Sequence, residues 1–350
     1  MASIPDRPRL RIAVLGAGSI GCHLGGMLAA VADVTLIGRP AAMAAIERAG
    51  LTLTGPGSAR EIHHLRLATG TAEAGVSEAD YVLVTVKSAD TAAAGRALAE
   101  HLGPSSTVVS FQNGLHNPDL LRAELPGHRV LAGMVPYNVV RTGPASFHQG
   151  SGGKLMLQES GDDSAGGAAF AAAARAAGLG LALRQDMPAV QAAKLLMNLN
   201  NAVNALSGLP LREQLGRRDY RTCLALCQRE ALAAFRAEGI RPARLGPVPP
   251  AWTPGVLRLP DPLFQRLAGA SLRIDAQARS SMWEDLQRGR TTEVDSLQGE
   301  IVTLARRHHL PSPANARLIT LIRAAEASAP GTARHWTGPE LLAALGSDGN

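Results

Sequence analysis

Apolar residues recur along this chain in two rhythms. In the first half they form short unbroken runs, Ile12 to Leu15, Val34 to Ile37, Tyr81 to Val86 and Thr107 to Ser110, separated by stretches with helical spacing. Unbroken, β-branched runs predict strands buried on both faces of a parallel sheet. Their alternation with helices over Cys22 to Val31, Ala41 to Ala49 and Asp90 to Leu102 predicts an α/β, doubly wound domain. Leu51 to Thr54 and Ile62 to Leu67 read as short strands around a Gly-Pro-Gly turn. Val130 to Val140, Ala145 to His148 and Lys154 to Gln158 read as strands, the latter two as a hairpin extending the sheet. A helix from Ala168 to Ala177 and a strand over Leu179 to Leu183 close this domain. Beyond residue 186 strand patterns cease and helical periodicity takes over. The expected division is 1–185 and 186–350, with an all-α second domain. A proline-rich stretch, Pro242 to Pro262, is expected as a surface excursion between helices.

The stretch Gly16-Ala17-Gly18-Ser19-Ile20-Gly21 sits between the first strand and the first helix, with a second strand at the right distance. In such a βαβ unit the first glycine makes a tight turn, the second admits a pyrophosphate and the third lets helix and strand pack closely. The helix N-terminus then offers free N–H groups to phosphate. This context identifies a dinucleotide site. The second strand ends in Gly38-Arg39 with no acid to accept hydrogen bonds from a ribose 2′-OH, so Arg39 is assigned to a 2′-phosphate and NADP(H) is expected over NAD(H).

Hydrophobic residues make up 46% of the chain and charged ones 18%, which is the composition of a globular protein. The formal net charge of +6 could point to nucleic acid, but arginines are scattered and aromatics are 3%. The charge therefore suits anionic small molecules, and no nucleic-acid partner is expected. No apolar run approaches a membrane span, and none is expected. Cys22, Cys223 and Cys227 form a sparse, odd set without C-x-x-C, which suits a reducing, cytoplasmic compartment and no metal site. Lysine occurs only at Lys87, Lys154 and Lys194. A chain that otherwise uses arginine keeps lysine where an amine must release a proton, which guanidinium effectively cannot do.

Two strands deliver chemistry to the C-terminal sheet edge, where open α/β sheets bind ligands. One ends at Lys87-Ser88 and the other at Gln112-Asn113-Gly114. Asn113 can donate and accept hydrogen bonds toward nicotinamide or substrate, and reads equally as a turn residue beside glycine. In the second half, Lys194, Asn198 and Asn201 fall at i, i+4 and i+7, on one face of a helix otherwise built from Leu, Met, Ala and Val. Such a stripe reads as the polar wall of a cleft. Farther on come Ser280-Ser281-Met282 and Thr291-Thr292-Glu293-Val294-Asp295. Glu293 is expected in the first turn of a helix running to His308, with Thr291 or Thr292 near its cap.

In order, Gly16-x-Gly18-x-x-Gly21, Val86-Lys87, Gln112-Asn113-Gly114, Lys194-Leu-Leu-x-Asn198, Ser281-Met282, Thr292-Glu293-Val294-Asp295 and Pro313-Ala314-Asn315 resemble the ketopantoate reductase (2-dehydropantoate 2-reductase) family over nearly the whole chain. The resemblance implies an NADPH-binding Rossmann domain, a helical C-terminal domain and an active site between them. It implies Lys194 as proton donor, Glu293 near it and near the nicotinamide ribose, and Asn113, Asn198 and Ser281 on the substrate. Lys87 and Asn113 would also touch the cofactor. The family's second helix amide falls here on Ala202; Asn201 replaces it by helical geometry, or Asn204 if two residues are inserted. The implied activity is an oxidoreductase of pantothenate biosynthesis acting on a small keto acid.

These parts suit carbonyl reduction. An ammonium can stabilise the negative charge growing on the keto oxygen and then protonate it, while Glu293 would favour the charged lysine. A reductase of a related keto acid and a non-catalytic NADPH sensor are the competing readings, and exposed apolar helix faces would permit a homodimer.

Overall fold

The computed structural model describes residues 9–55, 58–159, 164–268 and 278–346. The chain divides into two compact units, one of residues 1–112 and 116–187, the other of 113–115 and 188–350.

The first unit holds the strands β1 (Arg11–Leu15), β2 (Asp33–Ile37), β3 (Leu51–Gly55), β4 (Ser58–Ile62), β5 (Arg66–Ala68), β6 (Tyr81–Val84), β7 (Thr107–Ser110), β8 (Arg129–Met134), β9 (Val139–Arg141), β10 (Ser146–Gln149), β11 (Leu155–Gln158) and β12 (Leu181–Arg184). Helices α1 (Ser19–Leu28), α2 (Pro40–Ala49), α3 (Thr91–Ala99), α4 (Asn117–Glu124) and α5 (Ser164–Ala176) connect them. The main sheet runs β12-β11-β8-β7-β6-β1-β2-β5, parallel except where β11 meets β8. Neighbouring strand residues bury on opposite faces: Ile12, Leu83, Val109 and Leu131 pack with α1 and α5, whereas Ala13, Val82, Val108 and Val130 pack with α3 and α4. Both faces are covered, which is why these strands read as unbroken apolar runs.

Two expectations fail locally. The hairpin expected to extend the main sheet divides, for β9 and β10 join β3 and β4 in a separate four-stranded sheet while β11 enters the main one. The strand expected over Ile62 to Leu67 is likewise two strands, β4 on β3 and β5 parallel to β2. Helix α1 explains the small sheet. A Cβ at Gly25 would press on Leu36 of the main sheet, and one at Gly26 on Leu51 and Leu53 of the small one. The helix is therefore gripped from both sides, and its glycines are the clearance that requires.

Among the described residues the second unit is helical: α6 (Met187–Asn198), α7 (Asn200–Ser207), α8 (Leu211–Gly216), α9 (Arg218–Ala237), α10 (Thr253–Leu257), α11 (Asp261–Ala268), α12 (Ser281–Gln287), α13 (Val294–Arg307), α14 (Pro313–Glu326) and α15 (Gly338–Gly346). The long α9 is its axis, burying Cys223, Cys227, Ala231 and Phe235. All three cysteines of the chain are buried and free, and burial pushes the thiols of Cys22 and Cys223 up to about 12. The proline-rich stretch is more than a surface excursion, since it forms α10 and buries Pro254 and Leu257. The wholly buried Arg221 anchors it, donating to the carbonyls of Leu257 and Leu259, pairing with Asp261 at 2.8 Å and stacking over Phe264. So buried a cation is tolerated because carbonyl oxygens and a carboxylate satisfy it together.

Candidate functional site

The main sheet reverses direction of winding between β1 and β6, and at such switch points open α/β sheets bind their ligands. The glycine loop lies there. Gly16 has φ +112°, and a Cβ on it would lie 2.7 Å from Val86 N, at the end of β6. A Cβ on Gly21 would run into Gly16 O and sit 2.6 Å from Thr85 Oγ1, which itself donates to Gly16 O at 2.8 Å. Around Gly18, by contrast, a Cβ would meet nothing within 4 Å. Gly18 is the N-cap of α1, no side chain caps that end, and its first turn holds no acid. The first intrahelical bond comes from Cys22 N to Gly18 O, so the N–H groups of Ser19, Ile20 and Gly21 precede it. Ala17 N is turned back to Ile37 O at 3.1 Å, which ties the loop to the end of β2. Open space above a helix N-terminus that no carboxylate fills fits a diphosphate.

Gly38 packs against Ala17, so close that a Cβ would stand 2.6 Å from the alanine methyl. The next residue, the exposed Arg39, begins α2 beside this loop and has no ion-pair partner among the described residues. Lys87 and Ser88 follow β6 at the same sheet edge. A buried relay holds this corner: Gln112 Nε2 donates to Val86 O and Thr91 Oγ1, Thr91 Oγ1 to Asn117 Oδ1, and Asn117 Nδ2 to Ser88 Oγ.

In the second unit the turn bearing Asn113 joins the helices, with Leu115 against their core. Asn198 Nδ2 donates to Asn113 Oδ1 at 3.1 Å, and Asn113 Nδ2 donates to Glu293 Oε2 at 3.2 Å. A carboxylate can only accept, so Glu293 fixes which way the Asn113 amide points, and that in turn fixes Asn198. Glu293 is the N-cap of α13 rather than a residue of its first turn, and Thr292 Oγ1 accepts from Val294 N.

Lys194 is half-buried on α6, and its amine has no hydrogen-bond or ion-pair partner among the described residues. Burial alone lowers it from the usual lysine value to about 8. Glu293, expected to support its charge, accepts a hydrogen bond from Asn113. Asn201 is half-buried on α7. Asn204, the other candidate, is fully buried and spent on structure, donating to Leu209 O and accepting from Ser280 N. Ser280 caps α12 and donates to Asn201 O, leaving the neighbouring Ser281 exposed at the first position of the helix. Asn198, Asn113 and Glu293 are therefore joined directly, and Ser281 is brought to α7 through its neighbour. Asn315, in the tail motif, is a lock: its backbone and amide bond Glu230 and Cys227 O.

Sequence reasoning missed the residues that shape this wall. Helix α6 gives way to α7 at Leu199, and two buried glutamines satisfy carbonyls at the break, Gln228 to Leu196 O and Gln298 to Leu199 O. Asn200 and Gln214 exchange two amide hydrogen bonds beside it. Their signal was a polar residue at a position the apolar period assigns to the core. Among the described residues no helix is long and apolar enough to cross a membrane, and no group of three or more His, Cys, Asp or Glu could hold a metal.

Comparison with known proteins gives consistent matches. Residues 12–161 match the family described as ketopantoate reductase PanE/ApbA, and residues 186–326 match its C-terminal part. The 2-dehydropantoate 2-reductase of Halobacterium salinarum is 30% identical over 321 residues, covering 91% of this chain and 99% of the relative. That of Mesorhizobium japonicum is 27% identical, covering 90% and 97%. The crystal structure of a PanE/ApbA family ketopantoate reductase from Ralstonia eutropha JMP134 superposes with a TM-score of 0.77 at 31% identity, covering 91% of this chain and 98% of that one. A D-mandelate dehydrogenase, solved with NADH and anilino(oxo)acetate, shares the fold at a TM-score of 0.76 and 20% identity, with 91% and 98% covered.

Proposed function

The chain belongs to the ketopantoate reductase family, and from that premise we propose that it reduces 2-dehydropantoate to pantoate with NADPH, as an oxidoreductase of pantothenate biosynthesis. The observation that carries this reading is the placing of Lys194, an amine left half-buried on an otherwise buried helix, beside Asn198, which is bonded through Asn113 to the Glu293 carboxylate; burial lowers that amine to about 8. A proton donor works best when its pKa lies near the working pH, and this one does.

In this reading the glycine loop and the α1 N-terminus hold the diphosphate, Arg39 meets the 2′-phosphate and Lys87 lies on the cofactor side of the sheet edge. When bound there, the nicotinamide supplies a hydride to the keto carbon. Lys194 donates a hydrogen bond to the keto oxygen, stabilises the negative charge that grows on it, and transfers a proton to give the alcohol. Its amine then takes a proton from water. Asn198 and Asn113 orient the substrate's carboxylate and distal hydroxyl without adding a second cation, which would lower Lys194 further. Ser281 and Asn201 offer a hydroxyl and an amide to the same substrate. Glu293 acts on the substrate through Asn113, as a positioning residue.

Loss of NADPH absorbance on mixing protein, NADPH and 2-dehydropantoate tests the reading, beside a panel of other keto acids and NADH. The expected result is turnover fastest with 2-dehydropantoate and NADPH. Faster turnover of another keto acid would reassign the substrate, and binding of NADPH without turnover of any would make the protein a sensor.

A further inference from the structure

From Val190 to Ser207 the chain is buried at every position but three. Lys194 and Asn201 are half-buried, and Met197 is 55% exposed. These lie at i, i+3 and i+7, a single stripe along α6 and the start of α7. Every other apolar side chain in the span, from Val190 through Leu195, Leu196 and Leu199 to Leu206, is packed in the core. A helix pair that covers so much of its surface leaves uncovered only an ammonium, a thioether and an amide.

The polar two are absorbed by the proposed chemistry, and Met197 is not. A methionine held out of the core beside a proton donor is a polarisable, adaptable apolar surface in want of an apolar partner. Lys194 and Met197 are separated by about 4.5 Å along the helix axis. In 2-dehydropantoate the keto oxygen and the two C3 methyl groups are three bonds apart, so an acid whose oxygen meets the Lys194 amine brings those methyls to the neighbouring position on the stripe. Asn198 lies on the flank of Lys194 away from Met197, which leaves the carboxylate and hydroxyl to the amides and the methyls to the thioether.

We propose that Met197 is a specificity-determining residue, the apolar wall that selects 2-keto acids carrying two methyl groups at C3. This rests on the reading of Lys194 as donor to the keto oxygen and adds the substrate feature that the stripe selects.

The test compares kcat/KM for 2-dehydropantoate with that for 4-hydroxy-2-oxobutanoate, the same acid without both methyls, at saturating NADPH. Wild type, Met197→Ser, Met197→Gln and Met197→Leu are measured on the full chain. The exposed position spares the core, and Met197→Gln, of equal length, carries the test should the serine variant lower the melting temperature. Losing a methyl-sized apolar contact shifts discrimination about tenfold. Wild type should favour the dimethyl acid, Met197→Ser and Met197→Gln should lower that preference about tenfold or more, and Met197→Leu should keep it. An unmoved preference in Ser and Gln variants overturns the proposal while the reductase reading stands. So does a raised KM for NADPH with the preference unchanged, which would set Met197 against the cofactor. A wild-type protein that reduces neither acid overturns the reductase reading and this proposal with it.

Discussion

Replacing Gly18 by alanine separates cofactor binding from folding. The residue has φ −86°, open to alanine, and its new methyl would meet no protein atom within 4 Å. Two small stability effects oppose each other. Restricting the unfolded chain favours alanine by about 0.4–1 kcal/mol, and alanine is the poorer N-cap by a similar amount. The net change should stay within about 1 kcal/mol. The methyl, however, fills the space a diphosphate oxygen needs. Losing one hydrogen bond to a charged group costs about 1.5–3 kcal/mol, which weakens NADPH binding roughly 10- to 100-fold. Gly21→Ala is the contrasting variant. Its methyl meets Gly16 O and lies 2.6 Å from Thr85 Oγ1, with backbone that yields only by shifting β1 against β6. That variant should lose several degrees of melting temperature before any cofactor is added, by about 4–8 °C per kcal/mol in a small domain and less in a larger one. Thermal unfolding without cofactor and fluorescence titration with NADPH read the two effects separately. A Gly18→Ala protein that binds NADPH as tightly as its parent would refute the assignment of the loop.

Arg39→Asp should move the kcat/KM ratio of NADPH over NADH down at least about tenfold, the share of one charged hydrogen bond; an unchanged ratio would make Arg39 mere surface charge. His23 is buried with neither ring nitrogen bonded among the described residues, its ring edge-on to Tyr137, and burial first, then Arg60, lowers it to about 4. As pH falls from about 6.5 to about 4 the unfolded chain takes up a proton the native ring refuses, so stability drops by roughly 3 kcal/mol across that window and no further from this group below it. His23→Phe should flatten the pH dependence of the melting temperature there, and an unaltered slope would assign the acid lability elsewhere. Gln298→Leu strips Leu199 O of its donor and should cost about 1–3 kcal/mol; it should also lower kcat more than it alters NADPH binding, checked by urea unfolding and steady-state kinetics.

What was legible in the sequence was what neighbours in the chain decide. The glycine loop, the apolar runs of β1, β2, β6 and β7, and the helix that carries Lys194 and Asn198 each rest on interactions within a few residues, whereas Asn201, expected on that same helix, falls at the start of the next one. The small sheet was not legible, because β10 pairs in parallel with β3 across some ninety residues and nothing local distinguishes it from an extension of the main sheet. The end of α6 was hidden for the same reason, since Gln228 and Gln298 supply the missing donors from distant helices. The choice between Asn201 and Asn204 could not be made from spacing; burial and the two hydrogen bonds of Asn204 leave Asn201 as the amide on the open stripe. That Glu293 also accepts from the Asn113 amide is an outcome of side-chain placement that no pattern of residue types encodes.

The pH dependence of kcat/KM in both directions tests the role of Lys194 most directly. With the amine lowered to about 8, reduction should fall as pH rises through that value, because the charged form is the donor. Oxidation of pantoate, which needs the neutral amine as base, should rise through the same midpoint, and Lys194→Ala should lose both transitions along with most of kcat. A reduction profile that stays flat through this range, or a Lys194→Ala protein that keeps the wild-type profile and rate, would contradict the account.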